Sequence, residues 1–212
     1  VSAVTRNAKT YEHIDPGQVG NRQRILLSDL SGRANILHKA RQFGLNLEKD
    51  DPFVLELLAE LKAREAQGFE YAAAEASFEL LLNRVLGRAR TYYTLLGFRV
   101  MDARLRGLDE IQSEATIMVR VGGREAHTAA AGKGPVNALD HALRKALYRF
   151  YPNLEKMRLI DFKVRVLSNV KDTGTASNVR VLIESADENS RWVTVGVSYN
   201  IIEASWQALD DS

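Results

Sequence analysis

Apolar positions recur along this chain with two different periods, and the switch between them falls near Tyr92. Before it the spacing is helical. Val54, Leu57, Leu58 and Leu61 stand at i, i+3, i+4 and i+7, on one face of a helix. Asp51 can cap that helix, Pro52 suits its first position, and Gly68 closes it. A second stripe, Tyr71, Ala74, Phe78, Leu81, Leu82 and Val85, ends at Gly87. A shorter helix over roughly 33–43 precedes both, with Gly44 as its stop. Further upstream, Asp15-Pro16-Gly17 is a turn signal, Arg24 to Leu30 is a short β-like run, and residues 1–10 are a polar lead-in.

After Tyr92 the chain alternates. Phe98 to Ala103 does so in part, and Ala115 to Val121 is β-rich up to the hairpin signal Gly122-Gly123. Arg124 to Ala131 is the third strand. A helix from Pro135 to about Tyr148 then buries Val136, Leu139, Leu143 and Leu147. The cycle repeats. Leu159 to Leu167 places Ile160, Phe162, Val164 and Val166 on one face; Asn178 to Glu184 and Trp192 to Val197 are strands joined by a turn at 186–189; residues 200–209 are the closing helix. Phe98 and Phe162 correspond at a spacing of 64 residues, Ala142 and Ala208 at 66. The predicted fold class is α+β: a mostly helical linker part over roughly 1–90, then two pseudo-symmetric βββα units over roughly 91–212. The helix of such a unit covers its sheet only in part, so two units, and then two chains as a homodimer, are expected to pack together.

Composition narrows the functions open to this architecture. The chain has 212 residues, 45% hydrophobic and 26% charged, enough for one or two real cores. No run approaches the ~18 apolar residues of a membrane span, and no signal-peptide pattern appears. Cysteine is absent, which excludes disulfides and thiolate zinc sites and fits the cytoplasm. A net charge of +2 is too small for counterion-driven nucleic-acid binding; Arg88, Arg90, Arg104 and Arg106 are read as solvated surface. The chain begins at Val1, without an initiator methionine, and is read as part of something longer.

Candidate chemistry is sparse. Gly132-Lys133-Gly134-Pro135 reads either as a loop where the backbone approaches a ligand or as a tight strand-to-helix turn. Free N–H groups at the helix start that follows could receive a carboxylate. A phosphate loop is excluded, because Lys133 precedes Gly134 rather than Ser or Thr. Asp172 to Ser177 is the polar loop of the second unit, either a pocket wall for a small amphipathic ligand or a plain turn. His13, His38, His127 and His141 have no metal-ligand spacing, and Asp109-Glu110 and Asp187-Glu188 read as solvated turns. No Ser–His–Asp or Cys–His set can be placed. A duplicated module without catalytic hardware suits a sensor or a dimerisation domain better than an enzyme core.

Several long motifs nevertheless agree in order with a known family. Tyr11-Glu12-His13-Ile14-Asp15-Pro16, Leu27-Ser28-Asp29-Leu30-Ser31-Gly32-Arg33 and Glu75-Ala76-Ser77-Phe78-Glu79-Leu80-Leu81 resemble the linker subdomains of the 2-isopropylmalate/citramalate synthase family. His127-Thr128-Ala129-Ala130, Gly134-Pro135-Val136-Asn137-Ala138-Leu139 and Asn200-Ile201-Ile202-Glu203-Ala204-Ser205-Trp206 resemble its C-terminal regulatory domain. The linker wording looks most like the citramalate branch. The resemblance implies a parent acyltransferase that condenses acetyl-CoA with pyruvate on a route to isoleucine. Its catalytic TIM barrel, which holds a divalent metal, contributes no motif here, so the fragment is expected to be inactive alone and to need no cofactor. The resemblance further implies pairing across a twofold and feedback binding of isoleucine, or leucine in the sister branch. The effector residues carried over are Gly132, Lys133, Gly134, Pro135 and Val136; Val164 and Val166; Thr173, Gly174, Thr175 and Ala176; and Ile201. Lys133 departs from the small polar residue common at its place. His38 falls where the family's linker reaches toward a partner's catalytic site, which makes it a candidate accessory. A purely structural dimerisation module is the rival from another class.

Overall fold

The computed structural model describes residues 14, 18, 33–45, 47–48, 51–104, 110–167 and 174–212. The Asp15-Pro16-Gly17 turn, the run Arg24 to Leu30, His13, Arg106, Asp109, Asp172 and Thr173 lie outside them. The chain divides into two compact units, Val1–Arg88 and Ala89–Ser212.

Among the described residues the first unit packs three helices: α1 (Arg33–Gln42), α2 (Pro52–Gln67) and α3 (Glu75–Val85). The ends of α2 follow the expected chemistry. The Asp51 side chain accepts the Phe53 N–H at 3.0 Å. Gly68 ends α2 in the left-handed region at φ 108°, where its N–H reaches the Arg64 and Glu65 carbonyls. Val54, Leu57 and Leu61 face inward against Phe78, Leu81 and Leu82. Phe78 also meets Phe43 and Tyr71 at 6.1 and 6.4 Å between ring centres. Lys39 is buried, and its Nζ donates to Glu75 at 2.6 Å, in the first turn of α3.

The second unit has the expected α+β architecture of two βββα halves. Strands β1 (Thr94–Ala103), β2 (Gln112–Val121) and β3 (Arg124–Gly132) form one antiparallel sheet in that order, followed by α4 (Pro135–Leu147). Strands β4 (Arg158–Leu167), β5 (Asn178–Ala186) and β6 (Arg191–Ser198) form the other, followed by α5 (Ile201–Asp211). Gly122 and Gly123 both take positive φ, 53° and 81°, as a tight hairpin of this twist demands. The inner faces of both sheets and both helices share one core, with Ile117, Val119 and Leu139 from the first half and Val181, Ile183 and Leu209 from the second.

The duplication reaches individual hydrogen bonds. Thr128 donates to the Ala142 carbonyl at 2.7 Å, and 66 residues on Thr194 donates to the Ala208 carbonyl at 2.7 Å. Each half also has a register shift in its first strand, between Leu95 and Gly97 and between Leu159 and Asp161. This bulge corrects the strict alternation expected for β4. It brings Leu159 into the core and leaves Ile160 exposed.

Each helix holds the approach to the other half's first strand. Trp206 of α5 packs on Phe98 of β1 at 5.3 Å and on Tyr93 at 6.5 Å, and the Tyr93 hydroxyl donates to Asp210. Arg144 of α4 donates to the Leu154 and Met157 carbonyls just ahead of β4, at 3.4 and 2.9 Å.

Candidate effector site

The turn from β3 into α4 is built from the inside out. A Cβ on Gly132 would lie 2.4 Å from the Ala138 nitrogen, so glycine there is required by close approach of strand and helix. Gly134 is different. Its φ of −171° suits any residue, and a Cβ there would meet nothing within 4 Å. Packing among the described residues therefore gives no reason for glycine at 134. Pro135 opens the helix, and the Gly134 carbonyl accepts its first bond from Ala138 N–H at 2.9 Å. The Lys133 N–H is taken by Asn137 Oδ1 at 3.0 Å.

The second group gathers at one end of the other sheet. Val164 and Val166 pair with Val181 and Val179, on the face that α5 covers over β5 and β6 but leaves open over β4. Phe162, Val164 and Val166 are 38, 41 and 56% exposed. Gly174–Ala176 form a single 3-10 turn that delivers Asn178 to its partner Leu167, beside Val166. Ser198 pairs with Val179 at the same end of the sheet, and Asn200 then caps α5 by accepting the Ile202 and Glu203 N–H groups. Ile201 sits there 42% exposed.

Of the residues expected from sequence, Val164, Val166, Gly174, Thr175, Ala176 and Ile201 thus collect in one half, and Gly132 to Val136 in the other. Thr173 is outside the described residues. No hydrogen bond among the described residues joins the two groups. Phe162 was not among the expected residues, although its alternation with Val164 was visible. Its counterpart Phe98 is covered by Trp206. Sixty-six residues before Trp206 stands Asp140, whose carboxylate is bound to Arg144 at 2.8 Å. The cover over Phe162 is thereby missing, and an aromatic ring joins the two valines in an open apolar row.

A family model described as the LeuA allosteric (dimerisation) domain matches residues 72–212. The chain belongs to this family. A second model, the homocitrate synthase post-HMGL domain-like family, matches residues 1–68. The LeuA allosteric domain carries a dimerisation and allosteric role in its description, which suits an open apolar face. The chain is 56% identical over 212 residues to (R)-citramalate synthase of Geobacter sulfurreducens and 50% identical over 211 residues to that of Aquifex aeolicus, covering 100% of this chain in both cases. It is 28% identical over 208 residues to 2-isopropylmalate synthase of Pseudoalteromonas atlantica. The chain spans about 40% of the length of the two citramalate synthases.

Outside the LeuA domain, His38 lies on α1 with its Nε2 3.3 Å from Gln42 Nε2. Burial, then the Lys39 and Arg41 charges, push its pKa below the ordinary imidazole value and favour the neutral ring. Among the described residues no group of three or more His, Cys, Asp or Glu could hold a metal ion. No helix among them is long and apolar enough to cross a membrane.

Proposed function

We propose that this chain is the C-terminal linker and regulatory region of a cytoplasmic citramalate synthase, and that its LeuA domain dimerises and binds isoleucine for feedback inhibition. The parent reaction would join acetyl-CoA, pyruvate and water to give (R)-citramalate and CoA, on a barrel that supplies the metal and the acid–base groups. This chain alone would not turn over. The observation that carries the reading is the 56% identity to (R)-citramalate synthase along the whole chain.

The geometry supports a branched amino acid as ligand. Its side chain needs apolar walls, which Phe162, Val164, Val166 and Ile201 offer. Its zwitterion needs backbone donors and acceptors. The first amides of α4, which have no acceptor within the helix, suit the carboxylate. Gly134, which nothing among the described residues crowds, keeps that approach open. The Lys133 stem can lie along the pocket rim while its charge stays wet. Closure of the two half-sites on one ligand would fall to the dimer. His38 would be an accessory to the barrel of the intact enzyme.

Gly134→Asp in the full-length enzyme tests this. Asp is a favourable N-cap, so α4 should hold. Its carboxylate would occupy the ligand's anion position. The expected result is normal activity without isoleucine and loss of inhibition with it. Inhibition equal to the native enzyme would favour a purely structural dimerisation module. The 28% identity to a 2-isopropylmalate synthase supports a second reading, a leucine sensor, in which leucine would inhibit and isoleucine would not.

A further inference from the structure

β3 is an edge strand, and side chains of α4 cover its free edge. Asn137, His141, Lys145 and Arg149 recur every four residues, on one stripe of the helix and its extension. Lys145 Nζ donates to the Ala129 carbonyl at 3.1 Å and Arg149 Nη2 to the Glu125 carbonyl at 3.0 Å. The upper two members form a closed relay. Lys133 N–H lies 3.0 Å from Asn137 Oδ1, Asn137 Nδ2 lies 3.2 Å from His141 Nε2, and His141 Nδ1 lies 3.1 Å from the Ala131 carbonyl.

The two ends of this relay are backbone groups whose roles cannot change, and they determine everything between. An N–H at Lys133 only donates, so Asn137 must present its oxygen there. Its amide nitrogen then faces the imidazole, so His141 Nε2 must carry a lone pair. The Ala131 carbonyl only accepts, so His141 Nδ1 must carry the proton. One neutral tautomer satisfies all three bonds. A second proton on the ring sets Nε2–H against the Asn137 amide hydrogens. Turning the amide over moves the same conflict to Lys133 N–H. Either way one bond is lost, and the turn between Ala131 and Pro135 loses its brace.

We propose that His141 and Asn137 are positioning residues for the effector turn, and that effector affinity falls as His141 takes up its second proton. The proposal rests on the reading that this turn holds the effector. The brace is complete when the ring is neutral and broken when it carries both protons. The charged groups near it are Lys133 on the turn, Lys145 one helical turn on, and Asp140, which Arg144 engages. From β3 the edge residues beside the ring are Ala129 and Ala131, and the helix-side residues are Ala126, Thr128, Ala130 and Gly132, none of which titrates.

Two measurements on this chain test it. In the ligand-free protein, imidazole nitrogen shifts should show the Nδ1–H tautomer at about pH 8, and the Lys133 amide shift should move with the His141 titration. Asn137→Ala keeps every histidine and should stop that movement. An Nε2–H tautomer, or a Lys133 amide indifferent to His141, overturns the brace whether or not any ligand binds. Calorimetry with isoleucine should give affinity about two- to tenfold weaker at about pH 5.5 than at about pH 8, the worth of one net hydrogen bond. Asn137→Ala should bind weakly at both values. Equal native affinity at both pH values overturns the regulatory claim and spares the site. Absence of binding at both overturns the site reading and leaves the brace to be decided by the Lys133 shift.

Discussion

Glycine means three different things within this domain. At Gly132 and Gly196 it permits contact. A Cβ on Gly196 would lie 2.0 Å from the Ala204 carbonyl oxygen, as one on Gly132 would crowd Ala138. Gly132→Ala and Gly196→Ala should each cost about 1–3 kcal/mol or more in urea denaturation, because helix must move off sheet. At Gly122 and Gly123 it permits left-handed backbone. At Gly134 neither reason applies, and Gly134→Ala should cost less than about 1 kcal/mol, the scale of a lost N-cap. The sequence showed a Gly-x-Gly pair and treated both glycines alike; only the approach of strand to helix separates them. The relay through Asn137 and His141 was likewise legible as a spacing of four, but its purpose depends on which strand edge the stripe covers.

At the scale of elements, the matched Thr128 and Thr194 bonds predict matched losses. Thr→Val at either position removes one hydroxyl-to-helix bond, worth about 1 kcal/mol by denaturation. Thr194 should cost more, because it is fully buried whereas Thr128 is only partly so. The Tyr93–Asp210 contact adds a pH dependence. Burial, then Asp210, pushes the Tyr93 hydroxyl well above its ordinary value. Above about pH 10 the unfolded chain loses this proton while the folded one keeps it. Stability should therefore fall with rising pH, by at most about 1.4 kcal/mol per pH unit for this group. Tyr93→Phe should flatten that alkaline slope. A slope unchanged in Tyr93→Phe would assign it elsewhere. The helices α2 and α3 were legible because their i, i+3, i+4 stripes are unbroken and, in α2, the caps agree with the stripe. The bulges in β1 and β4 were not, since an inserted residue leaves the alternation of a short apolar run looking intact.

Across the whole domain, duplication and its failure are equally informative. Core, hairpin, helix and threonine bonds all repeat, yet Trp206 in one half answers to Asp140 in the other. Trp206 covers Phe98, whereas Phe162, Val164 and Val166 stay open beside β4, which α5 does not cover. Sequence spacing revealed the repeat; which half was left uncovered needed the packing of the two helices. An exposed wall can be altered without unfolding the chain, so Val166→Asp should keep the melting temperature within a few degrees and weaken isoleucine binding at least about tenfold, the cost of a charge against an apolar ligand. The central claim is that this domain closes on isoleucine. Calorimetric titration of the dimeric chain with isoleucine and with leucine tests it most directly. Saturable binding of one isoleucine per chain, tighter than leucine, is the predicted result; no saturable heat with either amino acid would contradict it.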